Sequence, residues 1–398
     1  MTKRFKYNRL EFAGALGDLG ALLPIAIAMV VFNGLNPLGL FLSIGLFYLF
    51  SGLYFGITVP VQPMKVIGAY AIATAMSPEQ IIASSMLMAI FLLLVGLTGA
   101  IDFIGRITPR SVIRGVQLST GALLISGGTK FLIGTSKYQM LQQAVEPHLS
   151  IQSIGFIPIS LIIGSVAALV TLLLLDNKKF PAALVVIAGG VITGLLLGAR
   201  MDLVDGIGIH FPQLLPFGFP ARVDFTFALF ALVVPQLPMT MGNAVLAYTD
   251  LSKKYFGKRS EKMTNRAACV SMALANLCSF CLGGMPLCHG AGGLAAHYTF
   301  GARTAGSNVM IGGLFIAAAL FFGKEIIELF NLVPMSVLGA LLVFAGAQLA
   351  LTIMDLKERK DFFIATLILG ITLASNLAVG FVTGMVVAQL LKWEKLTI

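Results

Sequence analysis

The stretches VPVQPMK at 59–65 and MPLCHGAGG at 285–293 decide how this chain folds, because each interrupts an apolar segment with proline and glycine. Lipid offers no partner to a freed backbone N–H or C=O group. Broken backbone at membrane depth therefore persists only where it is buried or lines a cavity. If the flanking segments span a bilayer, these two stretches mark an internal polar site.

The composition places those flanking segments in a bilayer. Of 398 residues, 58% are hydrophobic and only 11% are charged, which is too little polar surface for a soluble globule. A spanning helix needs roughly 20 mostly apolar residues. The chain accordingly predicts fourteen spans, of which the third and tenth are short and interrupted: 11–31, 36–56, 60–76, 80–103, 109–134, 153–175, 180–199, 222–248, 264–284, 286–300, 305–323, 330–352, 361–376 and 377–392.

The basic residues predict the orientation of these spans, because cytoplasmic loops hold an excess of Lys and Arg. Most of the 27 Lys and Arg residues fall in alternate connections when both termini are cytoplasmic. Those assigned to the cytoplasmic side are Lys3, Arg4, Lys6, Arg9, Arg106, Arg110, Arg114, Lys178, Lys179, Lys253, Lys254, Lys258, Arg259, Lys262, Arg266, Arg303, Lys357, Arg359, Lys360, Lys392 and Lys395. The remainder are Lys65, Lys130, Lys137, Arg200, Arg222 and Lys324.

The net charge of +10 is thus spread over loops, which favours contact with anionic membrane lipid over binding of nucleic acid. The first apolar run lacks a small-residue cleavage site, so we expect it to be a span rather than a cleaved leader. We expect a multi-pass protein of the plasma (inner) membrane.

An internal repeat organises the spans. Aligning Pro60 with Pro286 makes Gln62 and Cys288 equivalent positions of the two repeats, and each half carries a proline-led break followed by a short helical stretch. Seven spans in each half is an odd number, so the second repeat enters the membrane from the opposite side. This predicts two inverted repeats, 1–200 and 201–398, whose broken spans 3 and 10 meet near the midplane.

A helix that begins inside the membrane presents unpaired N–H groups and the positive end of its dipole. Two such ends facing each other predict an anion site, and an intramembrane cation such as Lys65 suits it. Two residues also have structural alternatives, since Lys65 could snorkel to an interface and His289 could be a hydrogen-bonded core residue. The predicted binding residues are Gln62, Pro63, Met64, Lys65, Gln236, Asn243, His289, Gly290, Ala291 and Gly292.

Asp18 is the clearest acidic residue inside a span, and its functional role would be coupling to a proton or another cation, of which we predict the proton. Its structural alternative is to pair with Lys65 or to cap broken backbone in span 1. In span 8, Gln236, Thr240 and Asn243 share one helical face that should point into the bundle. These three side chains could either contact the ligand or form hydrogen bonds between helices.

Metal binding and enzymatic chemistry are disfavoured. Cys278, Cys281, Cys288 and His289 mimic metal-ligand spacing. Cys278 and Cys281, however, lie in an apolar span where cysteine behaves as a small hydrophobe, and no second Cys/His pair follows at the required spacing. An enzyme would need a nucleophile beside a base, and Cys288 with His289 is the one candidate pair in the sequence. We expect no metal, no cofactor and no catalytic residue. There is also no Walker motif, so uphill transport would need a coupled ion.

Four motifs jointly resemble the molybdate transporter family, a branch of the sulfate permease (SulP) superfamily: EFAGALGDLG at 11–20, VPVQPMK at 59–65, the segment 234–244 and MPLCHGAGGL at 285–294. The resemblance implies an all-α polytopic membrane protein with fourteen transmembrane segments in a 7+7 inverted repeat, as in uracil/xanthine permeases. Spans 1–4 and 8–11 would form a core, and spans 5–7 and 12–14 a gate.

The resemblance also implies import of an oxyanion held between the ends of spans 3 and 10. The chain stops soon after span 14, so we expect no cytoplasmic STAS domain. Asn243 stands where proton-coupled sulfate transporters of the superfamily carry a glutamate, so the resemblance does not assign the coupling residue. Molybdate is the expected substrate, with sulfate or another tetrahedral oxyanion as the alternative. A homodimer is a further expectation, and an anion channel or a non-transporting sensor is the competing class.

Overall fold

The computed structural model describes residues 4–101, 109–175, 177, 181–199 and 208–392. Several basic residues used in the topology prediction lie outside this described part: Lys3, Arg106, Lys178, Lys179, Arg200 and Lys395. The described chain is predominantly helical, with two short antiparallel strand pairs.

The first half contains the helices α1 (Arg9–Leu16), α2 (Leu19–Asn33), α3 (Pro37–Phe55), α4 (Lys65–Thr74), α5 (Pro78–Thr98), α6 (Arg110–Ile133), α7 (Lys137–Gln142), α8 (Ile159–Leu174) and α9 (Ala182–Leu196), and the strands β1 (Gln62–Pro63), β2 (Ser153–Ile154) and β3 (Ile157–Pro158). The second half contains α10 (Arg222–Phe227), α11 (Val234–Met239), α12 (Tyr248–Phe256), α13 (Asn265–Leu282), β4 (Leu287–Cys288), α14 (Ala291–Phe300), α15 (Ala305–Phe322), α16 (Ile326–Asn331), α17 (Met335–Ala350), α18 (Arg359–Ala374) and α19 (Leu377–Leu390). Two π-helical segments, Ala228–Val233 and Thr240–Ala247, join α10 to α12, and short 3₁₀ segments are Gly257–Ser260, Gly323–Glu325 and Leu351–Asp355.

Six helical segments of the described chain are long and apolar enough to cross a membrane, and a seventh arises if α1 and α2 count as one span bent by 48°. Four further apolar helices, α4, α8, α9 and α19, have 10–17 residues. Each of the fourteen segments predicted from the sequence overlaps a helix of the described chain.

Two predicted boundaries differ most from the structure. The sixth segment was expected from residue 153, but β2 and β3 form a hairpin there and α8 begins at Ile159. The eighth segment was expected to end at 248, whereas its helical path runs from Arg222 to Ser260. Its two prolines, Pro235 and Pro238, lie in α11 between the π-helical segments. Proline removes a backbone donor, which fits such a local change in helical hydrogen bonding.

Close helix pairs bring the halves together. α3 packs against α15, α5 against α13, and α6 against α17. At the last crossing, Gly121 and Gly128 face Gly346 and Gly339, and a Cβ on either α6 glycine would lie 2.5 Å from a carbonyl oxygen of α17. Small residues let the two backbones approach closely, which is how helices associate inside lipid.

Two buried glutamates cap helices at the ends of these pairs. Glu11 Oε2 accepts hydrogen bonds from the backbone N–H groups of Arg303 and Thr304, just before α15. Glu146 accepts from the N–H groups of Met335 and Ser336 at the start of α17, over 2.7 and 2.9 Å. Helix N-termini carry unpaired donors and positive charge, so each carboxylate ties a distant segment to a helix start.

Candidate anion-binding site

The two sequence breaks meet in space. Strands β1 and β4 pair antiparallel, with Gln62 opposite Cys288 and Pro63 opposite Leu287. The N–H of Met64 donates to the carbonyl of Pro286 over 3.0 Å. Helices α4 and α14 begin directly after these strands. The prediction that the two breaks meet is confirmed.

Two buried asparagines hold the broken backbone. Asn276 of α13 accepts from the N–H of Leu287 and donates to its carbonyl, over 3.0 and 2.8 Å. Asn308 of α15 makes the same pair of bonds with Val59, over 2.9 and 2.8 Å. Buried backbone groups need such partners because lipid supplies none. Sequence reasoning missed both residues, although an asparagine inside an apolar span is itself a signal of an internal partner.

The first turn of α4 is already occupied. Gln236 Oε1 accepts hydrogen bonds from the backbone N–H groups of Val66 and Ile67, over 3.0 and 3.3 Å. Its Nε2 donates to Thr240 Oγ1 over 2.9 Å, which orients the amide. Gln236 therefore caps the half-helix, and the backbone donors expected there for a ligand are largely taken.

The first turn of α14 is bare. Among the described residues no hydrogen bond from the N–H groups of Ala291, Gly292 or Gly293 is found, and the first helical bond runs from the N–H of Leu294 to the carbonyl of Gly290. Three free N–H groups at a helix start form a ready anion site. A Cβ at position 290 would overlap Gln62 Oε1, so any larger residue there would have to displace the Gln62 amide.

Asp18 lies at the bend between α1 and α2 and accepts a hydrogen bond from Gln62 Nε2 over 2.5 Å. Its Oδ2 is buried without a partner in the described chain. A Cβ at position 293 would lie 2.5 Å from this oxygen. The described residues include no salt bridge of Asp18 with Lys65, so the direct pair is replaced by the contact with Gln62.

A cavity of about 390 Å³ opens beside these helix starts. Lys65, Asn243 and Gly292 line it from one side. Polar residues that the sequence did not single out line the other side: Gln117, Thr171, Gln348 and Thr352. A narrow crevice next to the cavity is lined by further predicted residues: Gln62, Pro63, Lys65, Gln236 and Asn243. The cavity and the adjoining crevice are together lined by six of the ten predicted binding residues.

Two predicted residues are placed differently. His289 is fully buried, and its ring nitrogens lie 3.1 Å from the Pro60 carbonyl and 3.2 Å from Ser271 Oγ. Its ring also packs on Phe47 and Tyr248, with centroids 4.7 and 5.1 Å apart. The side chain of Met64 is buried in the apolar core. In the described residues no group of three or more His, Cys, Asp or Glu is arranged to hold a metal ion.

This fold is the one seen in the transmembrane parts of anion transporters. The transmembrane domain of a cyanobacterium bicarbonate transporter, BicA, matches with a TM-score of 0.66 and 16% identity, covering 96% of this chain and 97% of that one. Murine Solute Carrier 26 family member A9, an anion transporter in the inward-facing state, matches with a TM-score of 0.71 and 14% identity, covering 99% and 69%.

Sequence comparison identifies the family. A family model described as molybdate transporter of the MFS superfamily matches residues 10–124 and 228–349. Molybdate transporter 2 of Arabidopsis thaliana is 31% identical over 97% of this chain and 88% of its own length. Molybdate transporter 1 of Chlamydomonas reinhardtii is 29% identical, covering 94% and 90%. The chain belongs to the molybdate transporter family, whose members are integral multi-pass membrane transporters rather than enzymes.

Proposed function

We propose that this chain is a secondary active transporter that imports molybdate by alternating access. The observation that carries this proposal is the bare first turn of α14 at a cavity that Lys65 also lines. Backbone N–H groups would replace the hydration of the oxyanion, and the ammonium group would balance its charge. The anion would contact Ala291, Gly292 and Lys65, with Asn243 beside it.

His289 and Gln236 have supporting roles in this proposal. His289 uses both ring nitrogens inside the protein, so it would hold the break before Gly290 rather than touch the anion. Gln236 would act by capping α4, which keeps Lys65 directed at the cavity. The two half-helices are thereby unequal, because α4 supplies charge and α14 supplies backbone donors.

The fourteen-span arrangement is part of the proposal. Repeats 1–200 and 201–398 would give a core of spans 1–4 and 8–11 and a gate of spans 5–7 and 12–14. The helix pairs support an inverted repeat. The proposed two-fold axis would relate the packed pair α3 and α15 to the packed pair α13 and α5. It would also exchange α6 with its own partner α17. Short helices such as α4 and α14 complete their spans with strands β1 and β4.

We further propose that the cavity opens to the cytoplasm and that both termini lie there, in the plasma membrane. The cavity is lined by Leu175, Phe300 and Thr352, which flank connections rich in basic residues. The positive-inside rule places such connections in the cytoplasm. On this assignment the anion would be released inward from the conformation seen here.

Uptake of a dianion into a negative cell needs energy. The membrane potential opposes two charges by about 4.6 kcal/mol per 100 mV. One proton moving inward gains about 2.3 kcal/mol per 100 mV, which offsets half of this cost. We propose that Asp18 carries this proton, since its Oδ2 is buried without a partner in the described chain and faces α14 at Gly293. A pH gradient or a further proton would supply the rest. Protonation of Asp18 Oδ2 would change the electrostatic environment of α14, the half-helix proposed to hold the anion.

Equilibrium binding to purified protein tests the proposal. We expect molybdate and tungstate to bind more tightly than sulfate, and Lys65→Met to weaken molybdate binding by about tenfold, as for loss of a charged contact. Lys324→Met, a change of the same charge outside the cavity, should leave binding unchanged. Preferential binding of sulfate would reassign the substrate. Uptake in proteoliposomes that never exceeds the equilibrium distribution would favour a channel, and binding without uptake would favour a sensor.

A further inference from the structure

A basic pocket and an apolar groove adjoin each other at Tyr54, away from the anion cavity. The pocket has a volume of about 310 Å³ and is lined by Arg4, Lys258, Arg259 and Lys262 with one carboxylate, Glu261. The groove has a volume of about 540 Å³ and runs between α3 and α13. Neither shares a lining residue with the cavity of about 390 Å³. Tyr54 lines both spaces and joins them into one continuous surface.

The groove is apolar although three serines line it. Ser51 Oγ donates to the carbonyl of Phe47, Ser43 Oγ donates to that of Leu40, and Ser271 Oγ lies 3.2 Å from His289 Nε2. These hydroxyl groups are satisfied inside the protein, so the groove offers hydrocarbon rather than hydrogen bonds. Phe50 and Leu274 on its rim are 64% and 60% exposed. Such a surface suits a lipid chain.

The groove also has the length of one leaflet. Its lining on α3 extends from Tyr54 back to Ser43, which is about 16 Å at 1.5 Å per residue. This is about half of the roughly 30 Å hydrocarbon core. A groove that starts at a basic pocket and ends near mid-bilayer matches one acyl chain below its headgroup.

The two arginines of the basic pocket have N–H donors beyond those bonded within the described protein. Arg259 gives one N–H to the carbonyl of Arg303 over 2.9 Å, and Arg4 gives one to the carbonyl of Leu53. Each guanidinium has five N–H donors, so most remain for a phosphate. Lys262 Nζ lies 5.4 Å from the centre of the Tyr54 ring, directly at the junction with the groove. Four cations against one carboxylate favour an anionic headgroup over a zwitterionic one.

We propose that an anionic phospholipid of the adjacent leaflet binds here, with its phosphate in the pocket of Arg4, Lys258, Arg259 and Lys262 and one acyl chain in the groove between α3 and α13. The wall of the groove includes Phe47 and Ser271, both of which contact His289. The bound chain therefore packs on the residues that hold the break before α14. This site does not depend on which anion the protein transports.

The test compares lipids on purified full-length protein in a nonionic detergent, with bound lipid counted by native mass spectrometry. We expect long-chain phosphatidylglycerol to bind about tenfold or more tightly than phosphatidylcholine with the same chains, given about 1 kcal/mol for each basic residue near the headgroup. Phosphatidylglycerol with hexanoyl chains should bind far more weakly. Inorganic phosphate should not displace the long-chain lipid.

Matched variants distinguish binding in the basic pocket from a general effect of positive charge on the protein surface. Lys258→Gln with Lys262→Gln should lower phosphatidylglycerol affinity about tenfold or more, whereas Lys253→Gln with Lys254→Gln removes the same charge nearby and should change it little. Val270→Trp should fill the groove and weaken both long-chain lipids, while Leu94→Trp, on a different exposed helix surface, should not. Equal binding of the two headgroups, displacement by inorganic phosphate, or equal loss in the two lysine variants would overturn the proposal.

Discussion

Gln62 donates a hydrogen bond to Asp18 across 2.5 Å, linking the strand of the first break to the bend between α1 and α2. Gly293 of α14 lies against both side chains, since a Cβ there would be 2.5 Å from Asp18 Oδ2 and 2.7 Å from Gln62 Nε2. Three separate elements thus converge on one buried carboxyl group. A change in the protonation of Asp18 would therefore act on the first turn of α14 through these contacts.

Asp18→Asn should uncouple uptake from the proton gradient. An asparagine keeps an oxygen that can accept from Gln62, so the site should still form and purified protein should still bind molybdate. Without a titrating group the variant loses the roughly 2.3 kcal/mol that one proton gains from 100 mV, so accumulation should fall by about fiftyfold. Proteoliposome uptake with and without an imposed pH gradient measures this. Gradient-driven uptake that survives in the variant would rule out Asp18 as the coupling residue.

Gly290→Ala should weaken molybdate binding by about tenfold or more, because a new methyl group in a packed site costs about 1–3 kcal/mol. The added Cβ meets Gln62 Oε1 and must displace either the glutamine or the start of α14. Gly313→Ala is the control, since a Cβ at that position of α15 meets no atom within 4 Å. Isothermal titration calorimetry compares the two. Equal affinities would show that the close approach at residue 290 is not needed.

Gln236→Leu should destabilise the protein and weaken anion binding together. The leucine leaves the N–H groups of Val66 and Ile67 without their acceptor, at a cost of roughly 1–3 kcal/mol for a buried unsatisfied group. Thr240→Val removes only the group that orients the amide and should have a smaller effect. Melting temperature and molybdate affinity are the measurements. A loss of affinity at unchanged stability would instead indicate direct contact of Gln236 with the anion.

Glu146→Gln should change how stability depends on pH. Burial raises the pKa of Glu146 above its ordinary value of 4.5, although the N–H groups of Met335 and Ser336 favour the carboxylate. A pKa raised by folding contributes stability that is complete below the ordinary value and is lost as the pH rises through the raised one. The melting temperature of wild type relative to the variant should therefore be highest in acid and decline towards neutral pH. A difference that grows with pH would contradict this assignment.

The sequence determined by itself the parts of the fold that depend on local composition. Apolar runs of spanning length and the proline-led breaks located the helices and the two interruptions, because insertion into lipid and helix interruption are properties of short segments. Lys65, Asn243 and Gly292 were found in the same way, as polar or small residues at membrane depth.

Only the tertiary structure decided which of these groups are free to bind. Gln236 caps α4, so the unbonded backbone N–H groups are those of α14. The two ring nitrogens of His289 are taken by hydrogen bonds with Ser271 and Pro60. Asn276 and Asn308, from different helices, satisfy the broken strands. The partner of a buried polar group is chosen by contacts between residues far apart in the chain, and no local pattern of residues encodes that choice.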